Sequence, residues 1–183
     1  TIRDNLFLGP AWAAIATGRH TAGVQITNNL FDGWGMASRA VEFHAFPRQA
    51  ADAILARNIF VRYQMAPVTD RAGRPETLGR AGDNIFCEVP LPAYQGFAGV
   101  GVSPAGDRQF DSLDHLGLAP VSPERLITEL EEPLLKREIG VAGVRSRWFA
   151  AYRLRGDSPL RSADPRNRVG PSGIYDEPAV STA

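Results

Sequence analysis

The stretch RAVEFHAFPRQAADAILARNIFVRY, residues 39–63, sets the expectation for the whole chain. Its opening alternates Val41, Phe43 and Ala45 with Glu42 and His44, the two-residue period of a strand with one buried face. Pro47 suits the first turn of a helix, Ile54 and Leu55 fall on one side and Asn58 ends it, so residues 47–58 read as a short helix. Ile59, Val61 and Tyr63, followed by Met65, resume the alternation and give the clearest strand in the sequence. The unit is strand, helix, strand.

Working outward, NIFCEVPLP at residues 84–92 reads as another strand, with Ile85, Cys87, Val89 and Leu91 on one face and prolines marking its exit. A hairpin across the polar loop 67–83 joins it to the strand before. Upstream, GPAWAAIATG reads as a short helix from Pro10 to Gly18. Downstream, Ser122 as N-cap, Pro123 in the first position and Glu124 in the first turn open a helix whose Leu126, Ile127, Leu130, Leu134 and Leu135 recur at helical spacing, with Pro133 set to kink or split it. RSRWFAAYRLRG returns to strand period, with Trp148, Ala150, Tyr152 and Leu154 on one face. No segment recurs at a fixed period.

These elements predict an α+β fold: an antiparallel or mixed sheet with two main helices, built on a ferredoxin-like split β-α-β core with an inserted long loop. Residues 1–156 form the expected domain. Residues 157–183, poor in apolar side chains and rich in proline and glycine, form an extended tail that would not order alone and would be held by the domain surface or another chain.

Equal numbers of acidic and basic residues leave no net charge, so nothing pulls the whole chain toward nucleic acid or acidic membranes. Charge is segregated locally: residues 141–170 carry seven arginines, and residues 111–138 carry seven acids against three bases. A lone cysteine, Cys87, excludes an intrachain disulfide and a cysteine-based zinc site, and its apolar neighbours Ile85 and Val89 mark it as core. Thr1 reads as the residue exposed when an initiator methionine is removed. Without a membrane span, the expectation is a cytoplasmic protein.

The stretch QGFAGVGV, residues 95–102, has the wrong glycine order for a dinucleotide loop and is followed by a turn where such a loop needs a helix. It matches the third strand of an RNA-recognition motif in part, but only Phe97 stands where a base-stacking ring belongs. The histidines His20, His44 and His115 form no metal-ligand pair, so no metal site and no cofactor is expected. His44, Asp111, Asp114 and His115 are the catalytic candidates, and Arg71, Arg74 and Arg80 arm the long loop. Arg145, Arg147, Arg153 and Arg155 alternate with aromatics, a pattern fit either for phosphates or for the acids of the preceding helix.

Three functions follow in order. The first is a non-catalytic subunit of a larger protein assembly, with other protein subunits as partners and nucleic acid as a candidate component. The second is a small-molecule enzyme or binder that uses the 67–83 loop, His44 and the Asp111, Asp114, His115 cluster. The third is an RNA or DNA binder through the arginine-rich strand and Phe97.

Overall fold

The computed structural model describes residues 1–18, 23–44, 53–71, 80–97, 105–119, 121–161 and 164–176. Short strands dominate: β1 (Ile2–Arg3), β2 (Leu6–Leu8), β3 (Ala13–Thr17), β4 (Gln25–Thr27), β5 (Leu30–Met36), β6 (Arg39–Phe43), β7 (Ile54–Ala56), β8 (Ile59–Tyr63), β9 (Val68–Asp70), β10 (Arg80–Gly82), β11 (Ile85–Cys87), β12 (Tyr94–Gln95) and β13 (Arg108–Phe110). Each pairs in parallel with the strand three places on, except that β13 pairs with β11, so three sheets form. The first holds β1, β4, β7 and β10; the second β2, β5, β8, β11 and β13; the third β3, β6, β9 and β12. The chain is a β-solenoid in which each of the first four coils gives one strand to every sheet and, among the described residues, the last gives β13 to the second.

The corner between the first and second sheets explains why the chain coils. At each pass one residue takes a left-handed conformation, Asp4, Asn28, Arg57, Asp83 and then Gly106, with φ of 58°, 55°, 57°, 56° and 80°. The next residue is Asn5, Asn29, Asn58, Asn84 or Asp107, and the backbone N–H of each of the four asparagines donates to the corresponding side chain one coil further on. Those bonds are 3.1 Å from Asn5 to Asn29, 3.0 Å from Asn29 to Asn58, 3.0 Å from Asn58 to Asn84 and 2.8 Å from Asn84 to Asp107. A backbone amide that no strand could satisfy thus finds an acceptor in the next turn. The ladder steps are 24, 29, 26 and 23 residues, a recurrence without a fixed period.

Two residues past each asparagine stands a phenylalanine pointing into the coil. Phe7, Phe31, Phe60 and Phe86 stack with centroids 4.8, 5.0 and 5.1 Å apart and planes within 10°. That spacing is the interstrand distance itself, so parallel pairing in register stacks the rings. Ile26 and Leu55 of the first sheet and Ile15, Val41 and Val68 of the third fill the rest of this interior.

The other face of the second sheet is also buried. Leu30, Ile59, Val61, Ile85 and Cys87 face outward onto Leu116, Leu118, Tyr152, Leu154, Leu160, Val169, Ile174 and Tyr175. The covering layer is built from α1 (Leu113–Leu116), α2 (Pro123–Leu135), α3 (Val141–Ala151) and two 3-10 turns, Pro165–Asn167 and Ser172–Tyr175. Within it, residues 166–172 run along the corner of the coils. Arg166 O accepts from Arg57, Gly170 N donates to Arg57 O, Arg168 O and Gly170 O accept from the Asn28 amide, and Ser172 N donates to Asp4.

The expected α+β, ferredoxin-like arrangement is therefore overturned: the sheets are parallel and wound as a solenoid, and helices are few. Of the helix expected over 47–58, residues 47–52 lie outside the described residues, and Ile54–Ala56 is β7. Adjacent Ile54 and Leu55 read as one helix side, but a strand buried on both faces needs the same run. GPAWAAIATG supplies strand β3 where a helix was expected. Strands Ile59–Tyr63 and Ile85–Cys87 form where read, yet pair in parallel and not as a hairpin. RSRWFAAY is helical through Ala151, and the adjacent Trp148 and Phe149 both pack against the buried cluster beneath the covering layer, where a strand would turn one of them away. Helix α2 begins as read, with Ser122 Oγ accepting from Arg125 N at 3.3 Å, and it continues past Pro133 to Leu135.

Candidate functional site

Along the third sheet Ile15, Val41 and Val68 point into the coil, so the alternate row Ala16, Glu42, Thr69 points out. An outward carboxylate should be solvated, yet Glu42 is fully buried. Three cationic groups close over it. His44 Nε2 lies 2.5 Å and Arg71 Nε 3.0 Å from Glu42 Oε1, and Arg39 Nη1 lies 3.5 Å from Oε2. Register produces this meeting: Phe43 is level with Asp70 across the β6–β9 pair, so the next residues, His44 and Arg71, leave the sheet side by side.

Trp12, exposed and just ahead of β3, completes the group. The guanidinium carbon of Arg71 sits 4.8 Å from its ring centroid and that of Arg39 5.8 Å, so the indole face screens both cations. The ion contacts satisfy charge but not hydrogen-bond direction. Both Glu42 oxygens, Arg39 Nε, Ser38 Oγ and Thr69 Oγ1 are buried without a hydrogen bond among the described residues. Thr69 stands level with Glu42 across the β6–β9 pair and Ser38 directly precedes Arg39 in the chain, and polar groups left without a protein partner in a native fold point to water or a ligand.

Chemically, one carboxylate faces two guanidiniums, leaving a positive excess suited to an anion. The Glu42–His44 contact sets Nε2 of a half-exposed imidazole against the buried carboxylate.

A second buried carboxylate, Asp32, serves the fold. It accepts from Arg62 Nε at 3.0 Å, from Trp34 N at 2.8 Å and from the Tyr152 hydroxyl at 2.7 Å, while Arg62 also donates to Val121 O at 2.7 Å. This network ties the second sheet to the covering layer. Burial opposes the Arg62 charge, but the hydrogen bond and charge of Asp32 outweigh it and hold the guanidinium above its ordinary value. Burial first, and the Asp32 charge second, push the Tyr152 phenol well up.

The remaining sequence candidates are dispersed. Asp111 precedes α1, Asp114 and His115 lie within it, and Asp114 is ion-paired with Arg155, which keeps its carboxyl below the usual range. Arg155 also pairs with Asp157 at 3.2 Å, and Arg153 has a buried Nε. Arg145 and Arg147 stand on α3, so the four arginines do not share one strand face. Arg80 opens β10, and Arg74 lies outside the described residues. Phe97 packs edge-on against Phe43 and Tyr94, each at 6.1 Å, as part of the coil interior. Gly96 before it holds φ 88°, and a Cβ there would fall 2.1 Å from Asp70 O, so that glycine serves a close approach of backbones; residues 98–104 of the glycine-rich stretch lie outside the described residues.

Among the described residues no three His, Cys, Asp or Glu side chains gather as for a metal, and no helix is long and apolar enough to cross a membrane. Comparison with protein-family models, with curated proteins and with solved structures finds no match to this chain. Sequence reasoning found His44 and Arg71 but missed Glu42, Arg39 and Trp12. Glu42 had been the polar phase of an alternating strand, and only the parallel register makes it the centre.

Proposed function

We propose that the outer face of the third sheet binds a small anionic ligand and that His44, held by Glu42, is the acid–base group acting on it. The reading rests on one observation: a fully buried, outward carboxylate contacted by Arg39, His44 and Arg71, with its oxygens lacking hydrogen bonds among the described residues. Arg39 and Arg71 would take the ligand's negative charge, Ser38 and Thr69 its hydroxyls or carbonyls, and Trp12 a flat face of its carbon skeleton. A proton removed from the ligand would pass to His44 Nδ1, with the Glu42 carboxylate stabilising the imidazolium, and leave to water from the exposed edge of the ring.

The test follows the emission of Trp12 during titration with inorganic phosphate, citrate and gluconate up to about 10 mM, beyond the millimolar affinity that a few charged contacts supply. A saturable change in the native chain, lost in Trp12→Phe and weakened at least tenfold in Arg71→Gln, is expected. No saturable change with any of the three, or an equal one in Arg71→Gln, refutes the site.

A second reading, a subunit of a larger protein assembly, is favoured by four large apolar side chains left exposed in the helical layer: Ile127, Leu134, Leu135 and Val141. Its test is the native mass of the chain in extracts of its own source. Migration as a lone chain refutes it.

A further inference from the structure

Among the described side chains of helix α2, Leu126 is buried, while Ile127 and Leu134, seven residues apart on one face, are 45% and 43% exposed. Leu135 and Val141 extend the uncovered patch to 77% and 85% exposure at the turn into α3. Helix α3 offers the opposite relief. Ala142, Ser146 and Ala150 recur every four residues, all are exposed, and together they form a flat stripe that a neighbouring helix can approach closely. Exposed Arg145 and Arg147 flank that stripe, Arg145 lying 5.4 Å over the Phe149 ring and Arg147 Nη1 reaching Glu129 O of α2 at 3.4 Å.

The charges match as the shapes do. α2 carries Glu124, Glu129, Glu131 and Glu132 against Arg125, a net of −3, and α3 carries Arg145 and Arg147, a net of +2. Apolar knobs on an acidic helix and a smooth stripe on a basic helix, borne by one chain, are the two halves of a self-complementary surface. Such a surface closes when a second copy is related by a two-fold axis, because each contact is then made twice.

We infer that the occupant of this surface is a second copy of the chain, with α2 of each protomer laid on the α3 stripe of the other, Ile127 and Leu134 against Ala142, Ser146 and Ala150, and glutamates of one copy against Arg145 and Arg147 of its partner. The inference rests on the assembly reading above and names the partner. It removes the exposed apolar patch from water and brings the acidic helix of one copy beside the basic helix of the other.

Sedimentation equilibrium of the purified full chain over a wide concentration range tests it. The native chain is expected at twice its monomer mass. Ser146→Trp, which fills the stripe, and Ile127→Asp, which puts a charge on the knob, are each expected at monomer mass, with the far-ultraviolet circular dichroism of the folded chain unchanged because both side chains are exposed. Arg147→Glu is expected to weaken the dimer more at low salt than at high salt. A native chain that stays monomeric at every concentration overturns the two-fold proposal; the assembly reading then stands or falls separately on the mass in extracts. A dimer that survives both Ser146→Trp and Ile127→Asp places the contact elsewhere and also overturns it.

Discussion

Replacing Asn58 by alanine takes one rung from the middle of the asparagine ladder. Its Oδ1 accepts from Asn29 N at 3.0 Å and from the Asn29 amide at 3.1 Å, and its Nδ2 donates to Ile26 O at 2.8 Å, Ala56 O at 3.1 Å and Asn84 Oδ1 at 3.2 Å. Much of this is replaceable. The Asn29 amide keeps Ile2 O and Thr27 O, and Ala56 O keeps the Asn28 N–H. What loses its partner is the Asn29 N–H, fully buried at a corner outside any strand. A stranded buried amide costs about 1–3 kcal/mol, and the donor lost at Ile26 O adds about 1, so the substitution should cost about 2–4 kcal/mol. Against a total of about 5–15 kcal/mol that is a large share. Urea unfolding of the full chain reads it as a fall in midpoint of about 1–2 M at an ordinary slope. Asn5→Ala is the control: Asn5 is exposed at the first rung, where water replaces the side chain, and it should cost under about 1 kcal/mol. Asn58→Ala within about 1 kcal/mol of the native chain, or no worse than Asn5→Ala, would refute the claim that the ladder holds the coils.

Phe60→Ala empties the middle of the ring stack and should cost about 3–5 kcal/mol in the same unfolding experiment, with Phe7→Ala at the half-buried end clearly cheaper; equal costs would contradict a continuous stack. Burial, then the charges of Glu88 and Asp111, push the Cys87 thiol up to about 12, so an aromatic disulfide at pH 8 should label it only after unfolding, and native-state labelling at the unfolded rate would refute that. The sign for stability follows. Below the ordinary value of 9.0 the thiol is neutral folded or unfolded, and from there to about 12 only the unfolded chain ionises, so stability should fall by about 1.4 kcal/mol per pH unit relative to Cys87→Ala. Gly96→Ala, with φ 88° and Asp70 O 2.1 Å from the new Cβ, should cost at least about 1–3 kcal/mol; a neutral outcome would mean the β12 end does not approach β9 as described.

What the sequence disclosed and what it hid have separate causes. Ile59–Tyr63 and the start of α2 were legible because period and capping act within a few residues. The solenoid was not, since its signature is an asparagine followed by leucine or isoleucine and phenylalanine, repeated at uneven intervals. Insertions between the third sheet of one coil and the first sheet of the next stretch that interval, and a search for a fixed period passes over it. In the second sheet both faces are buried, so the alternation read along Ile59–Tyr63 located a strand without telling which face was the core: Ile59 and Val61 pack on the covering layer while Phe60 and Tyr63 face the coil interior. At the site, His44 and Arg71 were visible as residue types, but Glu42 acquires meaning only from strands paired level with one another. Trp12 gave no signal at all, because its role is to lie over cations supplied by later coils.

The segment 166–172 changes how such a molecule should respond to pulling. A coil held only by its neighbours peels away one turn at a time, each step needing little force. Here Asp4, Asn28 and Arg57, from three successive coils, are all bonded to one stretch of chain laid along the axis. The coils are therefore joined side by side as well as in series, and a load applied to the first turn is shared by the next two before any of them yields.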